Sequence, residues 1–261
     1  MGVDDDIEAR FRTAGSFAES LKQGQFELFC QPIVPVDTGK VDYKYMEIFV
    51  RFREEEDKLI APGSFFPVLE ANHLTSMLDR WVVRDVMRWI WTKRRDQPNW
   101  FVPRVSVNLA DDTLRELDFS AYVRDQLTAM KIPGERLAFE ITAQQMVRHT
   151  HAAKQAVAGL KSLGCPCAVA DFSGNEAAAK FCKEAGVQTV KLEGSLIRNI
   201  HKSSAALSRL VALAAACRTL GLQTIAEFVE EKETLPMLRK AGVDFAQGFG
   251  IAKPGPLALI S

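Results

Sequence analysis

The stretch Val169-Ala170-Asp171-Phe172-Ser173-Gly174-Asn175 closes an apolar run with a single acidic residue. Other apolar runs carry or end in Glu47, Asn108, Glu140, Lys191, Glu227 and Gln247. Polar groups inside runs such as Ser-Val-Asn-Leu, Ala-Phe-Glu-Ile and Ile-Ala-Glu-Phe are costly to bury unless they are paired or coordinate a metal. Carboxylate and amide oxygens are ligands for hard divalent cations, so a site that gathers them suits Mg²⁺ or Mn²⁺. A histidine-based metal site is disfavoured, because three of only four histidines (His73, His149, His201) fall in helical or loop segments. The lone Asp at 171 decides whether such a site does chemistry or only binds. Each residue alone has a plain structural reading. Asn108 can cap the turn before Asp111-Asp112, Glu140 can pair with a neighbouring cation, Lys191 can lie on the surface, and Gln247 can be a satisfied amide near Gly248. As a set they point to one functional mouth.

The elements that position them follow from periodicity. Strands are expected at 26–34, 43–52, 105–109, 137–141, 167–172, 188–192, 223–228 and 245–249. Helical spacing fills 14–23, 64–70, 73–94, 117–129, 151–163, 175–185, 203–219 and 231–241. Strands alternating with helices imply a largely parallel sheet. Eight strands in 261 residues suggest a closed (β/α)₈ TIM-like barrel. The first two strands are joined by Pro35 to Asp42 only, too short for a helical crossover, so that pair must be antiparallel. Residues 1–12 read as a linker or tail and 13–261 as the barrel domain. Helix 14–23 is expected across one end of the fold. The charge run Glu54-Glu55-Glu56-Asp57 reads as a solvated loop.

Composition narrows the function classes. Lys plus Arg equals Asp plus Glu at 33 each, so nothing global argues for a nucleic-acid groove or an anionic membrane surface. No apolar run approaches the roughly 20 residues of a membrane span. The acidic start (Asp4, Asp5, Asp6, Glu8) has the wrong sign for a signal peptide, and Asp6 stands where a myristoylation site carries Ser or Thr. Five cysteines, with Cys165 and Cys167 one residue apart, match neither redox nor zinc spacing; reduced, buried thiols in the cytoplasm are expected.

A series of motifs in order carries a family resemblance from about residue 14 to the C-terminus. They are Gln31-Pro32-Ile33-Val34, Met46-Glu47-Ile48-Phe49-Val50-Arg51-Phe52, Asp79-Arg80-Trp81-Val82, Ser106-Val107-Asn108-Leu109 and Phe139-Glu140-Ile141-Thr142. Val190-Lys191-Leu192-Glu193-Gly194-Ser195, Ala226-Glu227-Phe228-Val229-Glu230, Gln247-Gly248-Phe249 and Lys253-Pro254 complete it. The chain resembles an EAL domain, the cyclic di-GMP phosphodiesterase fold of bacteria. The resemblance implies metal-ligand positions at Glu47, Asn108, Glu140, Asp171 and Glu227. It puts Lys191 beside the attacking water and Gln247 just behind the ligands. In active members two such metals generate a hydroxide and clamp an in-line displacement.

The chain departs from that pattern on the catalytic side. Active members carry two adjacent Asp residues followed by Phe-Gly-Thr-Gly; here the first is Ala170, and the loop reads Phe172-Ser173-Gly174-Asn175. A second Glu, three residues after Glu140, is Ala143. Losing the bridging ligand leaves at most one firmly held metal. The ligand-contacting side is better kept. Arg51 can pair with a phosphate, Gln31 and Asp79 can bond a base or ribose edge, and Phe228 can stack on a guanine. Phe49, Pro254, Glu47, Asn108, Glu227 and Gln247 complete the expected ligand contacts. The expectation is a degenerate EAL domain that binds cyclic di-GMP without cleaving it and needs no metal, with Mg²⁺ or Mn²⁺ held weakly if at all. A weakly active phosphodiesterase and a ligand-free protein-interaction domain are the alternatives. The resemblance also allows a protein partner, upstream signalling domains and a homodimer.

Overall fold

A computed structural model describes residues 7, 10–53, 59–198, 200–201 and 203–260. The acidic run 54–57 and most of the expected N-terminal linker lie outside them. Helix α1 (Ala14–Lys22) precedes strands β1 (Phe26–Pro32), β2 (Val34–Pro35), β3 (Tyr45–Arg53) and β4 (Leu59–Ile60). Helices α2 (Pro62–Ala71) and α3 (Thr75–Asp96) lead to β5 (Arg104–Asn108). Helices α4 (Asp111–Arg115) and α5 (Phe119–Met130) precede β6 (Leu137–Thr142). Helices α6 (Ala143–Arg148) and α7 (Thr150–Ser162) precede β7 (Cys167–Phe172). Then come α8 (Glu176–Ala185), β8 (Thr189–Leu192), α9 (Gly194–Ile197), α10 (Ser204–Thr219) and β9 (Gln223–Ala226). The chain ends with α11 (Leu235–Ala241), β10 (Phe245–Ala246) and β11 (Gly255–Pro256).

From β3 through β5, β6, β7, β8 and β9 to β10 each neighbour is parallel. Helical crossovers make that possible. Helix α3 shows how they are fixed: Leu78, Val82, Val86 and Ile90 are buried at a spacing of four, which lays one apolar stripe on the sheet. The first strand is antiparallel to β3, with Gln31 opposite Glu47. Only Ile33 separates β1 from β2, and β2 pairs antiparallel with β10, Val34 opposite Ala246. The sheet therefore closes through its own first segment. The architecture is a (β/α)₈ TIM-like barrel variant with an antiparallel first strand.

Phe11, within the expected linker, is fully buried against Phe17, Phe26 and Phe52. This aromatic cluster seats α1 where β1 starts and β3 ends. All five cysteines are buried and unpaired, and burial pushes the Cys30 thiol up to about 12. Among the described residues no helix is long and apolar enough to cross a membrane.

Four boundaries differ from expectation for local reasons. The strand expected at 223–228 stops at Ala226, because Phe228 takes a left-handed backbone with φ 55°. The one expected at 245–249 stops at Ala246, before Gly248 turns the chain against Val229. The helix expected at 151–163 is preceded by α6, which starts with a reciprocal cap between Thr142 and Gln145. The helix expected at 231–241 opens as a 3₁₀ turn at Lys232–Thr234 before Pro236 enters the first turn of α11.

Candidate functional site

Side chains alternate across a strand, so residues at the parallel strand ends point into one mouth. Lys191 on β8 stands at its centre and is 1% exposed, so it is no surface lysine. Its ammonium lies 2.6 Å from Glu47 Oε2, 2.8 Å from Glu140 Oε2 and 2.9 Å from Glu227 Oε1. These carboxylates come from β3, β6 and the residue after β9. Burial alone pushes the lysine down, but Glu140, Glu47 and Glu227 together outweigh it and hold it well above its ordinary value. Glu140 is pushed up to about 7 by burial and next by the charge of Glu47. Glu227 is also raised by burial, against the pull of Lys191.

Amides and a hydroxyl satisfy the remaining oxygens. Asn108 Nδ2 donates to Glu47 Oε1 at 2.7 Å, and Gln247 Nε2 donates to Glu47 Oε2 at 2.8 Å. Ser106 Oγ donates to Glu140 Oε1. Gln31 Nε2 donates to the Ala252 carbonyl at 2.8 Å, and Gln31 Oε1 accepts from Gln247 at 3.2 Å. That bond draws the segment leading to Pro254, itself half-buried, beside the mouth. Gln247 Oε1 is buried with no donor among the described residues.

The mouth thus gathers Gln31, Glu47, Asn108, Glu140, Lys191, Glu227 and Gln247. Asp171 stands apart. It is exposed at a bulge in β7, in a left-handed backbone with φ 53°. It is near enough to Glu227 to add to that residue's upward shift, but no ion pair joins it to Lys191 among the described residues. Ala170 beside it is buried and offers no ligand.

The donor set does not fit a pair of divalent metals. Both oxygens of Glu47 and both of Glu140 already accept hydrogen bonds. Among the described residues no group of three or more acidic, His or Cys side chains is placed to hold a metal ion. Among the described residues, Asp171, Glu227 Oε2, Asn108 Oδ1 and Gln247 Oε1 are the oxygens left for one.

A cleft of about 410 Å³ opens beside the cluster, between α2 and α6. Ile48, Phe49, Phe65 and Val107 give it an apolar wall, while Asp79, Asn108 and Glu140 line its polar end. Asp79, on α3, is buried; its Oδ2 accepts from the Ala110 amide at 2.8 Å and from Thr113 Oγ1 at 2.5 Å. Asp79 therefore ties α3 to the residue before α4 and to Thr113 within it, while Asn108 bonds Glu47 rather than capping the turn. Burial pushes Asp79 up to about 7 from its ordinary 3.8. A carboxyl raised in the folded state binds more protons there than when unfolded. Its contribution to stability thus falls as pH rises from about 4 to about 7, by up to about 4 kcal/mol. Asp79→Asn keeps an acceptor and removes the charge. Its stability relative to the wild type should grow over that window; denaturation at pH 4.5 and 7.5 measures this, and an equal difference at both would contradict it.

Arg51 is half-buried above the cluster. Its Nη1 donates to the Val50 carbonyl at 3.0 Å, and its guanidinium lies 5.6 Å from the Phe29 ring centre. Burial lowers its pKa, and no carboxylate pairs with it among the described residues. Phe228 is 47% exposed, so it is not a core aromatic.

Ser106 and Gln145 were not singled out from sequence. Ser106 precedes Asn108 by two residues on one strand face, and the Thr142-to-Gln145 spacing is that of a capping box; both signals were present. Gln145 Nε2 also donates to the Leu109 carbonyl at 2.8 Å, tying α6 to the end of β5.

A family model described as the EAL domain matches residues 14–254. The chain belongs to the EAL domain family. It is 30% identical over 257 residues to the cyclic di-GMP phosphodiesterase PdeF of Escherichia coli, covering 98% of this chain and 34% of that protein. It is 27% identical over 241 residues to the cyclic di-GMP phosphodiesterase PdeB of Shewanella oneidensis, covering 92% of this chain and 28% of that protein. The chain thus spans about a third of the length of these curated relatives. The crystal structure of the FimX EAL domain of Xanthomonas citri in complex with c-di-GMP shares the fold, with a TM-score of 0.85 at 22% identity; the match covers 99% of this chain and 98% of that one. This EAL domain is therefore related to cyclic di-GMP phosphodiesterases, and its barrel places Glu47, Glu140 and Glu227 around Lys191.

Proposed function

We propose that this EAL domain is a receptor that binds cyclic di-GMP without cleaving it and without needing a metal. The observation that carries the reading is the centre of the mouth. An ammonium, Lys191, already pairs with Glu47, Glu140 and Glu227, and the position of the carboxylate that would bridge two metals is Ala170. Three carboxylates around one lysine still carry excess negative charge, which opposes a ligand with two phosphates. Ala170 removes one further charge from that ring. Arg51, which no carboxylate pairs with among the described residues, supplies a cation for a phosphate. Asp79 lies in the adjacent cleft, and the apolar wall around Phe49 and Phe65 suits the flat face of a base. In this reading the chain's own groups bind and orient the ligand.

The domain works in the cytoplasm in this reading, and its occupancy passes to a protein partner, to further domains or across a homodimer through the loops at the mouth. The test is metal dependence. Wild-type affinity for cyclic di-GMP should agree within about twofold in chelator and in Mg²⁺, whereas Ala170→Asp should bind more tightly with Mg²⁺ than in chelator, because the added charge repels phosphate until a cation screens it. Equal affinities in both buffers for Ala170→Asp would overturn the electrostatic account. Linear dinucleotide released by the wild type in Mg²⁺ or Mn²⁺ would favour the weak enzyme.

A further inference from the structure

The chain is neutral as a whole, but its charge is separated along the barrel axis. The mouth holds Glu47, Glu140 and Glu227 around one lysine. The opposite end, where the parallel strands begin, is basic. Helix α3 closes there with Lys93, Arg94 and Arg95 in its last turn, and Arg104 opens β5. Asp96 is the one acidic residue from 93 to 104. Lys131 and Arg136 lead into β6, with Glu135 between them. Hydrogen bonds gather these segments. Arg94 Nη1 donates to the Lys131 carbonyl at 2.7 Å, Arg104 Nε to the Glu135 carbonyl at 3.2 Å, and Arg136 Nη1 to the Val102 carbonyl at 2.9 Å. The Arg104 amide donates to the Lys44 carbonyl at 2.8 Å, which brings in a further cation. Among the described residues Lys93, Arg94, Arg104 and Lys131 form no ion pair. The helix macrodipole accounts for cations in the last turn of α3, but Lys44, Arg104 and Arg136 stand at strand entrances.

Two large apolar side chains are exposed in the same region, Trp91 at 43% and Phe101 at 53%. Each has a guanidinium over its ring: Arg95 lies 5.1 Å from the centre of Trp91, and Arg136 lies 5.4 Å from that of Phe101. Phe101 shares a small hollow with Lys44 and Pro103, which fixes it at the entrances of β3 and β5. Every residue from Arg94 to Asn99 is exposed, so the turn between the two aromatics stands clear of the barrel. A projecting turn does not suit a small ligand, which needs a concave site. Exposed rings flanked by Lys and Arg do suit a bilayer surface, where amphipathic aromatics sit at the headgroup level and cations meet anionic lipid.

We propose that this end of the barrel docks on an anionic lipid bilayer, with Trp91 and Phe101 entering the headgroup layer and the surrounding cations facing the lipid charge. The mouth lies at the other end of the barrel and stays open to water. The inference goes beyond the receptor reading and does not rest on it.

The test is co-sedimentation of the whole chain with vesicles of phosphatidylserine and phosphatidylcholine, beside vesicles of phosphatidylcholine alone, at a low and a physiological salt concentration. The wild type should bind the anionic vesicles, bind them less at the higher salt, and leave the neutral ones in the supernatant. Each cation at a bilayer surface is worth about fivefold in affinity. Lys93→Ala combined with Lys131→Ala should therefore bind about 25-fold more weakly, with a smaller salt dependence and an unchanged thermal midpoint. Phe101→Ser should weaken binding at both salt concentrations and leave the ratio between them as it was, because it removes a ring and no charge. Equal binding to both kinds of vesicle, no binding to the anionic ones at low salt, or unchanged affinity in the double lysine variant would overturn the proposal. So would binding of polyglutamate without binding of vesicles, which would assign the face to an acidic protein.

Discussion

Lys191→Met should lower the unfolding free energy by about 3–5 kcal/mol, the cost of leaving buried charge without its partner. Methionine is unbranched and only one atom shorter than lysine, so little volume changes; what disappears is the ammonium that Glu47, Glu140 and Glu227 share. Three carboxylates, from β3, β6 and the residue after β9, then repel across the barrel mouth. They can relieve that repulsion only by taking up protons, which raises the folded pKa values of Glu140 and Glu227 further. The penalty should therefore be largest near pH 8 and shrink towards pH 5, where the proton replaces the lysine charge. Urea denaturation of both proteins at the two pH values measures it. A loss under about 1 kcal/mol, or one that does not change with pH, would mean that the carboxylates do not depend on the lysine.

Arg51→Ala should act on the ligand and leave the fold alone. Its guanidinium makes one backbone hydrogen bond, to the adjacent residue, and one ring contact, with Phe29. Neither ties distant elements together, so stability should change by less than about 0.5 kcal/mol, as for substitutions away from a core or network. Losing a charge-assisted contact to a phosphate costs roughly 2–3 kcal/mol, which is about 30- to 150-fold in affinity for cyclic di-GMP. Arg51→Lys keeps the charge but not the two-pronged geometry, and its affinity should fall between the two. Calorimetric titration beside thermal melts checks both halves. Unchanged affinity for Arg51→Ala would place the phosphates elsewhere and favour a domain that binds proteins alone.

Much of the barrel was legible because its strands are apolar runs of the right length separated by helical periodicity. The site residues were legible for the converse reason: Glu47, Glu140 and Lys191 interrupt such runs where a charge has no local partner. What joins them was not legible. Lys191 meets Glu47 across 144 residues and Glu140 across 51, so nothing local in the sequence distinguishes three carboxylates around an ammonium from three around a metal. Asp79 reads as a polar residue on a helix, but its bond to the Ala110 amide is made 31 residues away. That contact, not its type, places it at the head of α4. The end of β9 was missed because Phe228 enters a left-handed conformation that phenylalanine rarely adopts. The motif position of Asp171 predicts a ligand beside the cluster; the structure has it exposed at the bulge in β7 and near enough to Glu227 to add to that residue's upward shift.

The central claim is metal-independent binding without turnover. The direct measurement is a calorimetric titration of the wild-type chain with cyclic di-GMP in chelator, with chromatography of the nucleotide recovered from a parallel sample in Mg²⁺ and Mn²⁺. The account predicts micromolar or tighter binding in chelator and intact cyclic nucleotide in both samples. No heat in chelator, or linear product in the metal sample, would contradict it.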